Sequence, residues 1–107
     1  MSAHANIPIS EQFREVAEQW ADADAAADLL EHCKSAYLAK RMCALGDMPV
    51  SRAEMEVKAS PQWEDFLEKM VKARERATKL KVQMEYLRMK FSEWNSETAT
   101  RRAEMKL

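Results

Sequence analysis

The most regular feature of the chain is a run of apolar residues at alternating three- and four-residue steps through its second half. The run begins at Trp63, passes two polar positions at Thr98 and Arg101, and ends at Met105. This is a heptad repeat with apolar a and d positions, which is typical of a helix that packs against another helix. Its unbroken part comprises Trp63, Phe66, Met70, Ala73, Ala77, Leu80, Met84, Leu87, Phe91 and Trp94.

A weaker form of the same repeat occupies the first half of the chain. Lys34 and Arg41 interrupt it. Its apolar members are Phe13, Val16, Trp20, Ala23, Ala27, Leu30, Tyr37 and Ala44. We therefore predict two helices, at about residues 10–45 and 61–106, with a short connecting helix at about 51–59. Residues 1–9 have no periodicity and are predicted to be a flexible lead, followed by a single helical hairpin domain over 10–107.

Residues at the predicted boundaries are those that favour helix ends. Ser10 is a candidate N-cap for the first helix, and Gly46 is suited to end it in the left-handed conformation. Ser51 opens a capping-box pattern for the short helix. Ser60 and Pro61 are suited to the N-cap and the first position of the long helix.

Two heptad helices on one chain predict an all-α fold, an antiparallel coiled-coil hairpin. A register that pairs Trp20 with Leu87 sets small residues opposite larger ones along much of the a/d seam, as close packing requires. The same register aligns Phe13 with Trp94, Val16 with Phe91, Ala27 with Leu80, Leu30 with Ala77, Asp24 with Lys81, and Glu31 with Arg74.

The long helix carries apolar residues away from this seam as well. Val82, Tyr86 and Met89 follow i, i+4, i+7 spacing and so share one outer face of the helix. They could simply be exposed side chains, which are common on protein surfaces. We favour a second packing surface, most simply a homodimer in which two hairpins form a four-helix bundle. A different protein partner would use the same three residues.

Charge is unevenly distributed along a chain whose net charge is only −1. Residues 1–50 hold four basic and eight acidic side chains, whereas residues 69–90 hold eight basic and two acidic ones. The basic band could contact nucleic-acid phosphates through Lys69, Lys72, Arg74, Arg76, Lys79 and Lys81. An isoelectric point near 6.1 favours the other interpretation, a solvated flank partly neutralised by the first helix.

Motifs for catalysis, cofactors and metals are missing from the sequence. There is one glycine, so no glycine-rich phosphate loop can form. His32 and Cys33 lack the paired spacing of a zinc site, and no nucleophile, histidine and acid stand in a recognisable context. We predict no enzyme activity, no cofactor and no metal. Without an export signal or a long apolar run, Cys33 and Cys43 are predicted to be reduced thiols in a cytoplasmic protein with no membrane contact.

The region from Ser51 onward resembles a family of small helical proteins, mostly uncharacterised, from phages and prophages of proteobacteria. The resemblance rests on AEMEVKASPQWEDFLEKMVKARERA (53–77) and FSEWNSETATRRAEMKL (91–107), with a looser match at AYLAKRM (36–42). The family commonly has arginine after the tail tryptophan, where this chain has Asn95. The resemblance implies a phage-derived origin, in a setting near replication and recombination genes, but no activity and no functional residues.

Together these features predict a non-enzymatic coiled-coil interaction or accessory protein that self-associates. The alternative is a nucleic-acid-binding accessory of phage recombination or replication that uses the basic band. A third and weaker interpretation is inhibition of another protein through an acidic row on the first helix, formed by Glu11, Glu15, Glu18 and Asp22.

Overall fold

The structure, a computed structural model, describes residues 7–106 and is all-α over that range. It contains α1 (Ile9–Ala44), α2 (Val50–Lys58) and α3 (Pro61–Met105), and the described residues form no strand. The three predicted helices are present, with bounds within one residue of those expected. Of the predicted flexible lead, residues 1–6 lie outside the described residues, and Ile9 is already helical.

Proline, rather than serine, precedes the first residue of α1 and of α2. The carbonyl of Pro8 accepts the amides of Glu11 and Gln12, both at 3.0 Å, so Ser10 lies inside α1 and is not its N-cap. Pro49 is the N-cap residue of α2, and no side chain caps that helix, so the capping box predicted at Ser51 is wrong. A proline at the N-cap has no side-chain acceptor for the amides of the first helical turn, so α2 begins without a side-chain cap.

The other two predicted helix ends are confirmed. Gly46 follows the end of α1 with φ +85°, the left-handed conformation that glycine adopts at least cost. The Ser60 hydroxyl accepts the amide of Trp63 at 3.3 Å and donates to the Val57 carbonyl at 2.5 Å. Ser60 therefore links the end of α2 to the start of α3.

The chain divides into two compact units, whose boundaries fall within α1 and α3. The central unit is Ala23–Ala77, and the terminal unit is the chain up to Asp22 together with the chain from Thr78 onward. The buried core of the central unit consists of Ala23, Ala27, Ala53, Val57, Trp63 and Ala77. That of the terminal unit consists of Val16, Leu80, Met84 and Leu87.

Aromatic stacking fixes the contact of α1 with α3 in the central unit. The Tyr37 ring stacks on Phe66 with a centroid distance of 4.4 Å and on Trp63 at 6.2 Å. The Tyr37 hydroxyl lies 3.4 Å from the Gln62 carbonyl, to which it donates. The register predicted from Trp20 and Leu87 would have set Tyr37 against Met70, one helical turn away.

The terminal unit has its own contact between α1 and α3, which the Phe13 ring makes. Val16 and Leu87 line one groove. Arg88 lies over the Phe13 ring, 5.7 Å from its centroid. Trp94 is 53% exposed. The stacking of Tyr37 on Phe66 in the central unit thus departs from the predicted register by about one turn, and a heptad pattern offers similar size matches in neighbouring alignments.

Among the described residues, no helix is both long enough and apolar enough to cross a membrane.

Candidate interaction surfaces

The outer face of α3 in the terminal unit presents three large apolar side chains to solvent. Val82 is 61% exposed, Tyr86 54% and Met89 63%. Leu80, Met84 and Leu87 alternate with them along the same stretch and are buried. The exposed three are called here the outer stripe, and their apolar surface is suited to packing against another protein surface. Lys90 borders it, with its ammonium 5.4 Å from the Tyr86 ring centroid.

Two lysines of the predicted basic band are neutralised by their own helix. Lys69 pairs with Asp65 at 3.1 Å, and Lys72 pairs with Glu68 at 3.0 Å. Both pairs are i, i+4 contacts between well-exposed side chains, so each is weak. They lower the net positive charge that this part of the central unit can offer to a phosphate.

Arg74 of the same unit is held by three carboxylates of α1. Its Nη1 donates to a carboxylate oxygen of Asp24 at 2.6 Å, and its Nη2 donates to one of Asp28 at 2.6 Å. Nε and Nη2 also donate to the two carboxylate oxygens of Glu31, each at 2.9 Å. The predicted pairing of Glu31 with Arg74 is confirmed. Asp24, which was predicted to pair with Lys81, binds Arg74 as well. Arg74 therefore contributes to the contact of α1 with α3.

The hydrogen bonds in this Arg74 cluster shift the ionisation of its members. The hydrogen bond from Arg74 lowers the pKa of Glu31 below its ordinary value. In return, the hydrogen bonds to Glu31, Asp24 and Asp28 raise the pKa of Arg74. The cluster favours the fully ionised state, which a guanidinium fork achieves by donating to several carboxylates at once.

The remaining members of the basic band are exposed. Arg76 belongs to the central unit, and Lys79 and Lys81 belong to the terminal unit. Lys69, Lys72 and Arg74 of the candidate nucleic-acid site are paired with carboxylates.

Arg14 interrupts the acidic row of α1. Its guanidinium bonds to Glu11 and lies 2.7 Å from Glu18. The hydrogen bond from Arg14 lowers the pKa of Glu11 below its ordinary value. The acidic face is therefore partly neutralised within α1.

A groove beside the start of α1 is the feature that sequence reasoning missed. Phe91 and Trp94 were assigned to the buried seam, yet they are 39% and 53% exposed and stack on each other at 6.1 Å. A cavity of about 340 Å³ is lined by Ile7, Pro8, Ile9, Ser10, Phe91 and Trp94. A second cavity of about 300 Å³ is lined by Ser10, Phe13, Arg88 and Phe91. The unequal lengths of the two helices could have indicated this exposure. The 45 residues of α3 exceed the 36 residues of α1, so α1 cannot cover the whole seam of α3.

Cys33 and Cys43 are exposed and carry free thiols. Within residues 7–106, no three histidine, cysteine, aspartate or glutamate side chains are grouped so as to hold a metal ion.

Comparison of the chain with protein-family models, with curated proteins and with solved structures finds no match.

Proposed function

We propose that the chain is a non-enzymatic interaction protein, built as an antiparallel coiled-coil hairpin that self-associates through the outer stripe. The observation that carries the proposal is the exposure of Val82, Tyr86 and Met89, each more than half exposed on one face of α3. Covering this face with the same face of a second copy would remove apolar surface from water, which is the main driving force of association. The product would be a four-helix bundle.

The hairpin itself is supported by contacts within each unit. In the central unit, Arg74 meets residues 24–31, and Phe66 meets Tyr37 further along α1. In the terminal unit, Arg88 meets Phe13. In the central unit, a residue later in α1 thus contacts a residue earlier in α3, as expected for antiparallel helices. A cytoplasmic phage or prophage setting, suggested by the resemblance of residues 51–107, is the context we propose for this role.

Solution mass tests self-association directly. Light scattering coupled to size exclusion, at low and moderate salt, should give about twice the chain mass of 12.4 kDa. Tyr86→Asp should give a monomer that keeps its helix content, because a charge at the centre of the stripe would be buried unpaired in the dimer. Leu29→Asp is the matched control, since Leu29 is an apolar residue of α1, 64% exposed, outside the stripe. A wild-type monomer, or equal effects of the two substitutions, would refute the proposal.

Nucleic-acid binding by the basic band, the alternative hypothesis, would have to compete with the carboxylates that pair with Lys69, Lys72 and Arg74. A shift of single- or double-stranded DNA that weakens as salt rises would support this alternative. A retained dimer that leaves DNA unshifted at physiological ionic strength supports the interaction protein.

A further inference from the structure

Arg88 occupies the same heptad position as Arg74 but lacks its partners. The two arginines lie two heptads apart on α3, both at e positions. Moving two heptads back along α1 from Asp24, Asp28 and Glu31 leads to Ser10, Arg14 and Ala17. Where Arg74 meets three carboxylates, the equivalent positions for Arg88 hold a hydroxyl, a cation and a methyl group.

The contacts of Arg88 differ from those of Arg74 in the way that this comparison of positions predicts. Within residues 7–106, Arg88 has no carboxylate partner, and its guanidinium lies over the Phe13 ring, 5.7 Å from the centroid. Ser10 lines the same cavity. Arg88 is exposed, and its guanidinium lies at the side of a cavity that Phe13 and Phe91 also line, so a carboxylate bound there would pair with the cation beside apolar surface.

Apolar surface continues from this cation toward the end of the groove. The cavity that contains Arg88 shares Ser10 and Phe91 with the cavity that contains Trp94. Ile7, Pro8 and Ile9 line the cavity that contains Trp94. An occupant would therefore meet one cation and one hydroxyl beside a wall of rings and aliphatic side chains, a combination of few polar groups and much apolar surface that is typical of binding sites.

We propose that this groove, lined by Ser10, Phe13, Arg88, Phe91 and Trp94, binds a segment of a partner protein that carries a carboxylate beside an aromatic or large aliphatic side chain. The carboxylate supplies Arg88 with the charge that α1 supplies to Arg74. The apolar side chain covers Phe91 and Trp94. The groove is separate from the outer stripe, so this proposal does not depend on self-association.

Two blocked tripeptides test the proposal on the full ¹⁵N-labelled chain. Acetyl-Leu-Asp-Phe-amide should shift the NMR signals of the Trp94 indole and of the Arg88 and Phe91 amides at concentrations up to about 10 mM, the range of weak short-peptide contacts. The isosteric peptide with asparagine in place of aspartate should bind about fivefold more weakly or worse, because it loses a charge-assisted hydrogen bond. Arg88→Gln should abolish the difference between the peptides, whereas Arg76→Gln, the same change at an exposed arginine of α3, should preserve it.

Several results would overturn the proposal. Equal binding of the two peptides, or an unchanged preference in Arg88→Gln, would show that Arg88 does not select a carboxylate. Absence of shifts at Trp94 and Phe91 would show that the groove is not the site. Phenylacetate binding as tightly as the aspartate peptide would show that the groove takes free small acids and not a protein segment. The solution mass of Arg88→Gln should equal that of the wild type, which separates this site from the dimer.

Discussion

At the scale of the residue, Arg74 shows how half-exposed charges specify a contact without strongly stabilising it. Its side chain is 36% exposed, and its three partners range from 34% to 51%. Water and salt therefore screen the cluster considerably. The cluster contributes more to the alignment of α1 with α3 than to stability. The planar guanidinium fits its three acceptors only when these segments of the two helices are correctly placed.

Arg74→Gln should lower the stability of the protein at about pH 7, because three clustered carboxylates would lose their cation. The difference from wild type should shrink below about pH 4, where carboxylates become protonated. Glu31 has a lowered folded-state pKa, so its contribution is present above its unfolded pKa and is lost as pH falls through the folded value. Urea unfolding followed by circular dichroism at both pH values measures this.

Arg76→Gln provides the control for that experiment, because Arg76 is an exposed arginine two residues away. It should leave the urea midpoint nearly unchanged at both pH values. A pH-independent loss in Arg74→Gln would mean that the side chain stabilises by packing and not by charge.

At the scale of the element, the helix ends differ in how much a side chain contributes to them. α3 begins with a serine hydroxyl that accepts the Trp63 amide, whereas α2 begins at Pro49 without a side-chain cap. Sequence patterns alone made Ser51 and Ser60 look equivalent. Only one of them caps a helix, and stability measurements should separate them.

Ser60→Ala should destabilise the protein by about 1 kcal/mol, the usual loss when an N-cap serine becomes alanine. Ser51→Ala should be neutral or slightly stabilising, since Ser51 lies within α2 and alanine is the better helix former. Equilibrium unfolding in urea compares the two variants with the wild type. Equal losses in both would show that Ser51 also caps a helix.

The helices themselves were predictable from the sequence because periodicity and punctuation agreed. Gly46 and Ser60 each have a single favourable role at a helix end, and both were assigned correctly. The register was not predictable, since successive turns of a heptad helix present similar residues to a partner. What distinguishes the alignments is specific geometry, the stacking of Tyr37 on Phe66 and the acceptors around Arg74, which no one-dimensional pattern contains.

The candidate surfaces were predictable to different degrees. The exposure of Val82, Tyr86 and Met89 follows from their spacing against the buried residues of α3. The engagement of Arg74 by Asp24 and Asp28 could not be read from pairwise matching, because one guanidinium reaches several turns of α1.

At the scale of the whole molecule, a thin core makes stability depend on few residues. Pairs of helices bury less surface for their length than larger domains, so each buried side chain carries a larger share of the total. Leu87 is 7% exposed in the terminal unit, and its neighbour Tyr86 is 54% exposed. Adjacent residues thus probe the core and the surface separately.

Leu87→Asp should unfold the terminal unit, because a buried unpaired carboxylate costs on the order of 4 kcal/mol. Its far-ultraviolet circular dichroism should lose much of the helical signal. Tyr86→Asp should keep that signal at the same protein concentration. Equal losses in the two variants would mean that the faces of α3 are assigned incorrectly.

The division into two units also constrains the order in which the chain can fold. The central unit is one continuous segment, Ala23–Ala77, whereas the terminal unit is assembled from two pieces that flank it. Joining Tyr37 to Phe66 closes a shorter loop than joining Phe13 to Arg88, and the entropy lost on closure grows with loop length. Residues 23–77 should therefore fold before the two pieces of the terminal unit join each other.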